Sequence, residues 1–319
     1  MSPALTPIVY AARYHIDIGP HVFPTRKYQM VHARLIESGA DLQFLEPEPA
    51  TWDELALVHT QEYLARLRGG TLSDEELAQL QLPWSVEMVE GFRLMVGGTI
   101  TAAKKGYGPF SIHIGGGLHH AFPNHGEGFC PFNDVAVAVR VLQSQGVERV
   151  AIVDLDVHHG NGTAFIFNPG GAPPPPDEDR RLERRRSAPG ADPRVFTFSM
   201  HQQHNYPMWK PRGSLDIGLP DGAGDARYLR ELRAALPQVM ASDPQCVFYL
   251  AGADPYEDDQ LGGLRLTMDG LRERDRLVIE TVRGAGVPLV VTLAGGYARR
   301  VEDTVSIHVA TIEEALRSA

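Results

Sequence analysis

The stretch Ile152-Val-Asp-Leu-Asp-Val-His-His-Gly-Asn-Gly-Thr163 decides the fold that the sequence predicts. Its apolar start is typical of a buried strand, and the glycines that follow permit a tight turn. Ionisable side chains are costly to bury unless they bind a metal or pair with one another, so this strand end indicates a functional site. Alternation along the strand puts Asp154, Asp156 and His158 on one side, where they can converge on one ion.

Similar apolar runs alternate along the chain with segments that carry apolar residues at helical spacing. The predicted strands are Ile8–Tyr10, Ser111–Ile114, Val147–Asp156, Arg194–His201, Gln245–Gly252 and Val287–Leu293. The predicted helices are Ser85–Lys105, Phe132–Gln145, Asp225–Ala241, Thr267–Ala285 and Arg300–Arg317. This alternation predicts an α/β fold with a mostly parallel central sheet flanked by helices on both faces. We expect residues 1–319 to form a single domain, because large α/β folds of about 250 residues or more fold as one unit.

The segment from Asn168 to Pro193 departs from this alternation. It contains four consecutive prolines, an acidic triplet and an arginine-rich run, with few apolar residues. This composition predicts a mobile insert. The arginines could form a nucleic-acid or targeting patch, but the interleaved acidic residues favour a solvated linker. Topology places the insert at the N-terminal edge of the sheet, remote from the carboxyl ends of the strands where active sites of such folds lie.

The composition favours an ordinary globular protein with a cationic partner. Hydrophobic residues make up 43% of the 319 residues and charged residues 22%, and the net charge is −10. An acidic chain argues against nucleic-acid binding, which relies on a basic surface. Cys130 and Cys246 lie too far apart in sequence to indicate a disulfide framework or a cysteine metal site. No signal-type start and no run of about 18 apolar residues is present, so we expect a cytoplasmic protein that does not span a membrane.

Three further predicted strands also end in polar motifs. Gly115-Gly-Gly-Leu-His-His-Ala121 contains His119 and His120, Tyr249-Leu-Ala-Gly-Ala-Asp-Pro255 contains Asp254, and Leu293-Ala-Gly-Gly-Tyr297 ends in a tyrosine. Taken alone, His119 could be a core histidine, Asp254 a helix cap and Tyr297 a packing aromatic. Because all four motifs follow parallel strands, they point to one rim of the sheet and together predict a site.

These motifs resemble those of the histone deacetylase family, within the arginase-like fold, from about Ile8 to near the C-terminus. Val58-His-Thr-Gln-Glu-Tyr-Leu64 and Gly128-Phe-Cys-Pro-Phe-Asn-Asp134 also resemble family signatures. Leu82-Pro-Trp-Ser85, Gly97-Gly-Thr-Ile100 and Phe122-Pro-Asn-His125 are similar to the class IV branch and its bacterial relatives. The resemblance implies a metal-dependent amidohydrolase that removes acyl groups from amines.

The resemblance also implies two metal sites. Asp156, His158 and Asp254 would bind the catalytic ion, and two carboxylates with one imidazole suit zinc with an open position for water, although Fe(II) fits the same ligand types. A structural potassium ion would lie nearby. Its implied ligands are Asp154, Asp156, His158, Ser199 and Met200.

The resemblance pairs His119 with Asp154 and His120 with Asn161. Because a carboxylate stabilises imidazolium more than an amide does, we expect His119 to hold a proton more readily and His120 to act as the base. The hydroxyl of Tyr297 would donate to the oxyanion that forms as water attacks the amide. These five residues are the implied catalytic group.

The family encloses the alkyl chain of its substrate in an apolar tunnel. Gly128, Phe129, Tyr206 and Leu266 match tunnel positions, although core packing is an alternative explanation for Phe129 and Leu266. Ala294 replaces a glycine that is frequent in the loop carrying the catalytic tyrosine, which could tighten that loop.

The resemblance leaves several functions to compare. An acyl-lysine deacylase is favoured, and the class IV features imply tolerance of acyl chains longer than acetyl. The alternative is an amidohydrolase of acetylpolyamines or other small N-acetyl amines, but Leu266 stands where polyamine specificity usually requires an acidic residue. A ureohydrolase would need a second set of metal ligands, and a non-catalytic scaffold would be expected to lack a ligand or Tyr297. The sequence leaves the oligomeric state open.

Overall fold

A computed structural model describes residues 6–104, 110–168 and 191–317, and within these ranges eight parallel strands form one sheet. The strands are β1 (Pro7–Val9), β2 (Gln43–Leu45), β3 (Phe110–His113), β4 (Val150–Asp154), β5 (Val195–Gln202), β6 (Leu215–Leu219), β7 (Cys246–Leu250) and β8 (Leu289–Thr292). Their spatial order is β2-β1-β3-β8-β7-β4-β5-β6.

The helices cover both faces of this sheet. They are α1 (Lys27–Glu37), α2 (Trp52–Leu55), α3 (Gln61–Gly69), α4 (Asp74–Leu80), α5 (Val86–Ala103), α6 (Asp134–Ser144), α7 (Asn161–Phe167), α8 (Asp225–Met240), α9 (Met268–Gly284) and α10 (Val301–Arg317). Helix α6 packs against both α5 and α7, whereas α1, α8, α9 and α10 form a second group. Among the described residues, no helix is both long and apolar enough to cross a membrane.

The α/β prediction is confirmed, and each predicted strand is present: β1, β3 and β5 are shifted by one residue, whereas β4, β7 and β8 are shorter than predicted. Two strands were not predicted, β2 and β6, which lie at the two edges of the sheet. Both are partly exposed, and β6 alternates between exposed and less exposed residues, so neither has the continuous apolar run of a buried strand. Most of the predicted insert, residues 169–190, lies outside the described residues.

The order of the strands brings the polar motifs together. The four strands followed by those motifs are β3, β8, β7 and β4, and they are consecutive neighbours in the middle of the sheet. All four are parallel, so their carboxyl ends meet at one edge. A site at this edge therefore receives residues from four segments that are distant in sequence.

Candidate active site

The carboxyl ends of β4 and β7 bring two aspartates and a histidine together. Ligand atoms of Asp156, His158 and Asp254 all lie within 4.8 Å of one another, and the three residues are buried. His158 Nδ1 is 3.0 Å from Asp156 Oδ1 and 3.5 Å from Asp254 Oδ2. Burial, together with the facing carboxylate of Asp156, raises the pKa of Asp254 to about 7. Two buried carboxylates at this separation call for a cation between them.

One carboxylate oxygen of this cluster is available to bind a metal ion. Asp254 Oδ1 accepts a hydrogen bond from the backbone of Val157 at 2.8 Å, whereas Asp254 Oδ2 is buried and makes no hydrogen bond among the described residues. Gly295 keeps the space beside it open, because a Cβ there would lie 2.1 Å from Asp254 Oδ2 and 2.4 Å from Asp156 Oδ2. A buried carboxylate oxygen without a donor is an expected metal ligand.

The tandem histidines after β3 make the two contacts that the resemblance implied. His119 Nδ1 lies 2.7 Å from Asp154 Oδ2, and His120 Nδ1 lies 2.7 Å from Asn161 Oδ1. Burial opposes the charged form of His119, but the carboxylates of Asp154 and Asp156 outweigh it and raise its pKa to about 9. Burial and the neighbouring imidazoles lower the pKa of His120 well below its ordinary value. The environment therefore favours a charged His119 and a neutral His120.

Tyr297 reaches the same cavity from the loop after β8. Burial and two nearby carboxylates raise the pKa of Tyr297 well above its ordinary value, so its hydroxyl remains a donor. Ala294 adopts a positive φ of 52°, a conformation that favours glycine, and its carbonyl accepts a hydrogen bond of 2.9 Å from the buried Lys27 Nζ. The same ammonium lies 5.5 Å from the centre of the Tyr297 ring. Lys27 thus holds the strained loop that carries the tyrosine.

The cavity above the histidines is small and partly aromatic. Its volume is about 20 Å³, and its lining includes Gly128, Phe129, His120, Asp156 and Tyr297. Gly128 and Phe129 both have positive φ, 53° and 68°, at the centre of a tight turn closed by hydrogen bonds between Glu127 and Cys130. This turn brings backbone close to the histidines, since a Cβ on Gly128 would lie 2.8 Å from His120.

The other two residues expected in the tunnel differ in position. The Tyr206 ring meets the His120 ring edge-on, with centroids 5.0 Å apart, so it lies beside the tandem histidines. Leu266 is fully buried in the hydrophobic core and does not line the cavity. Contact between Leu266 and the substrate stays a prediction, and the position of Leu266 in the core does not support it.

The expected potassium ligands lie on the adjoining strands. Ser199 on β5 is in register with Asp154 on β4, and Met200 is fully buried beside it. A cavity of about 10 Å³ between Asp154, Gly160 and Ser199 has room for about one atom or water molecule. Potassium binding at this place stays a prediction.

Sequence reasoning missed several residues that support the site. Arg274 on α9 is fully buried and donates to the carbonyl oxygens of Gly252 at 2.6 Å and Leu155 at 3.4 Å, so it joins the two loops that carry Asp156 and Asp254. Asp259 accepts a hydrogen bond of 2.7 Å from the backbone of Tyr297. Neither residue belongs to a recognisable motif, because each acts through backbone atoms of segments distant in sequence.

Comparisons with known proteins agree with this geometry. The sequence matches the family described as the histone deacetylase domain over residues 21–312. It is 39% identical to an uncharacterized protein of Picosynechococcus sp. over 95% of both chains. It is also 30% identical to histone deacetylase 2 of Arabidopsis thaliana, over 93% of this chain and 77% of that protein. The crystal structure of the HDA15 HD domain superposes with a TM-score of 0.71 at 23% identity, covering 97% of this chain and 90% of that one.

Proposed function

Because the chain belongs to the histone deacetylase family and is a deacetylase, we propose that it hydrolyses the amide of acetylated lysine side chains with the help of a bound zinc ion. One observation carries this proposal. Asp156 and His158 line the same cavity as His120 and Tyr297, and beside them Asp254 Oδ2 is buried without a hydrogen bond among the described residues. A metal site, a base and a hydroxyl donor are the parts that amide hydrolysis needs.

We propose separate roles for the side chains around the amide. When bound, zinc would polarise the amide carbonyl and make water more acidic. His120 Nε2 would accept a proton from the attacking water and pass one to the leaving amine nitrogen as the carbon–nitrogen bond breaks. The Tyr297 hydroxyl would donate a hydrogen bond to the oxygen that gains negative charge. The products are acetate and the free lysine amine.

The proposal is tested by assaying zinc-loaded protein with one acetyl-lysine peptide and with acetylated diamines and polyamines. We expect kcat/KM for the peptide to exceed that for the small amines by about 10-fold or more, because the one carboxylate among the described residues that line the cavity, Asp156, belongs to the metal cluster and none is left to bind a second ammonium. A preference for acetylpolyamines would replace the lysine assignment. No turnover of any of these amides would refute the proposed function.

Metal dependence is a second expected result. Dialysis against a strong chelator should remove at least about 90% of activity, and zinc should restore it, since an open coordination position is needed for hydrolysis. Adding Fe(II) in place of zinc compares the two candidate ions. A hydroxamate should inhibit the loaded enzyme competitively, because it offers two oxygens to the ion. Full activity of protein shown by elemental analysis to be metal-free would contradict this prediction.

The size of the cavity favours acetyl over longer acyl groups. The free volume of about 20 Å³ is close to that of one water molecule, so even an acetyl group needs a small shift of its neighbours and a longer acyl chain needs a larger one. Inserting a longer chain would require surrounding side chains to move, and overpacking of this kind typically costs about 1–3 kcal/mol. We therefore expect kcat/KM to fall by about 10-fold or more from acetyl to octanoyl on one lysine peptide. Equal or rising values for octanoyl and myristoyl would instead support the longer-chain preference that the class IV features imply.

A further inference from the structure

Glu127 is a buried carboxylate beside the catalytic histidines that the proposed mechanism does not use. It is 7% exposed and stands at the start of the tight turn that carries Gly128 and Phe129. Its Oε1 atom lies 2.6 Å from Asn161 Nδ2. Asn161 in turn contacts His120 through its Oδ1 atom at 2.7 Å. Glu127 is therefore one hydrogen-bonded residue away from the proposed base.

The neighbours of Glu127 are hydrogen-bond donors. Gln79 Nε2 donates to its Oε2 atom at 2.8 Å, His125 Nε2 lies 3.5 Å from the same oxygen, and the Tyr206 hydroxyl is a further partner. Burial alone would favour the neutral acid, but these hydrogen bonds lower the pKa of Glu127 below its ordinary value. Glu127 is thus a carboxylate, and a carboxylate can only accept hydrogen bonds.

This restriction sets the direction of the hydrogen bonds. An acceptor at Glu127 requires the NH₂ group of Asn161 to point towards it, which turns the amide oxygen of Asn161 towards His120. An amide oxygen also only accepts, so His120 must carry its proton on Nδ1. The other ring nitrogen, Nε2, lies 3.0 Å from His119 Nε2 and then carries its lone pair, which is the form that a general base requires.

We propose that Glu127 is a positioning residue that fixes the tautomer of His120 by fixing the orientation of the Asn161 amide. This inference deepens the proposed function and rests on the assignment of His120 as the base. A neutral glutamine at position 127 removes the restriction, because its own amide can donate to Asn161 Oδ1. Asn161 can then turn over and leave His120 with its proton on Nε2, where it cannot accept one from water.

The test is a cycle of isosteric variants with kcat and KM measured for each. Glu127→Gln should lower kcat by about 10-fold or more while KM changes by less than about 3-fold, since general base catalysis contributes about 100-fold or more. Asn161→Asp alone places two carboxylates within hydrogen-bonding distance and should also be impaired. In the double variant Glu127→Gln/Asn161→Asp, the carboxylate at position 161 accepts a hydrogen bond from His120, and the amide at position 127 donates one to that carboxylate. The double variant should therefore recover most of the lost kcat. Glu62→Gln, the same chemical change at an exposed glutamate of α3, is the control and should retain kcat within about 2-fold.

A second measurement does not depend on activity. The ¹⁵N chemical shifts of the His120 ring in the neutral state distinguish a proton on Nδ1 from one on Nε2, with His120→Ala used to identify the signals among the 13 histidines. We expect Nδ1–H in the natural protein and a mixture or Nε2–H in Glu127→Gln. Nε2–H in the natural protein, unchanged Nδ1–H in Glu127→Gln, or a double variant no better than Glu127→Gln would overturn the proposal. If no substrate is hydrolysed at all, the proposed function fails, and the tautomer measurement still decides the role of Glu127.

Discussion

The Asp254→Asn protein is expected to lose its bound metal and yet to be more stable than the natural protein when both are stripped of metal at pH 8. Metal loss follows because Asp254 Oδ2 is buried and makes no hydrogen bond among the described residues, which leaves it available as a ligand. Loss of supporting groups around metal ligands typically weakens binding 10- to 100-fold, so losing a ligand should weaken it by about 100-fold or more. Elemental analysis after dialysis measures this directly.

The gain in stability follows from the raised pKa of Asp254. A carboxyl group with a pKa of about 7 in the folded state binds its proton more tightly there than in the unfolded chain. The folded protein therefore loses stability as the pH rises from about 4, where the unfolded chain ionises, through about 7, where the folded protein does. An amide does not ionise, and the metal-free variant should therefore unfold at a higher temperature than metal-free natural protein at pH 8 but not at pH 4. Glu257→Gln, an exposed change on the same loop, is the control and should change neither metal content nor stability. Retention of metal by Asp254→Asn would show that the ligand set is wrong.

Tyr297→Phe is expected to keep its metal and to lose about 100-fold or more in kcat, since removing one donor from a developing oxyanion typically has an effect of that size. The ring itself packs against Phe23, Phe129 and His158, with centroids 6.0–6.5 Å apart. These contacts do not require the hydroxyl, so the melting temperature should change little.

Three measurements separate the hydroxyl from the metal ligands. Elemental analysis should give equal metal in Tyr297→Phe and the natural protein, KM should stay within about 3-fold, and kcat should fall. Tyr256→Phe, a partly exposed tyrosine on a neighbouring loop, is the matched control and should leave kcat unchanged. A Tyr297→Phe enzyme with kcat within about 3-fold of the natural one would remove the hydroxyl from the mechanism.

The arrangement of the metal cluster could be predicted from sequence because each of its segments has a local signal. An apolar run ending in Asp154, Asp156 and His158 has no explanation as a packing motif, and parallel strands deliver their carboxyl ends to the same edge. The contacts of His119 with Asp154 and of His120 with Asn161, 2.7 Å each, were implied by the family resemblance and not by the strand pattern. Short edge strands escaped prediction because β2 and β6 are partly exposed and lack a continuous apolar run.

By itself, the sequence determined the parallel sheet, the four strand ends that carry polar motifs, and the types of residue available to bind a metal. Tertiary structure alone decided how large the cavity is, that Leu266 lies in the core, and which buried groups hold the site in place. Glu127 contacts Asn161, which is 34 positions away in sequence, and Arg274 contacts the backbone of Gly252, which is 22 positions away. Such contacts leave no periodic or spacing signal, because a buried hydrogen bond depends on where two segments meet after folding, and that meeting is set by the packing of the whole sheet.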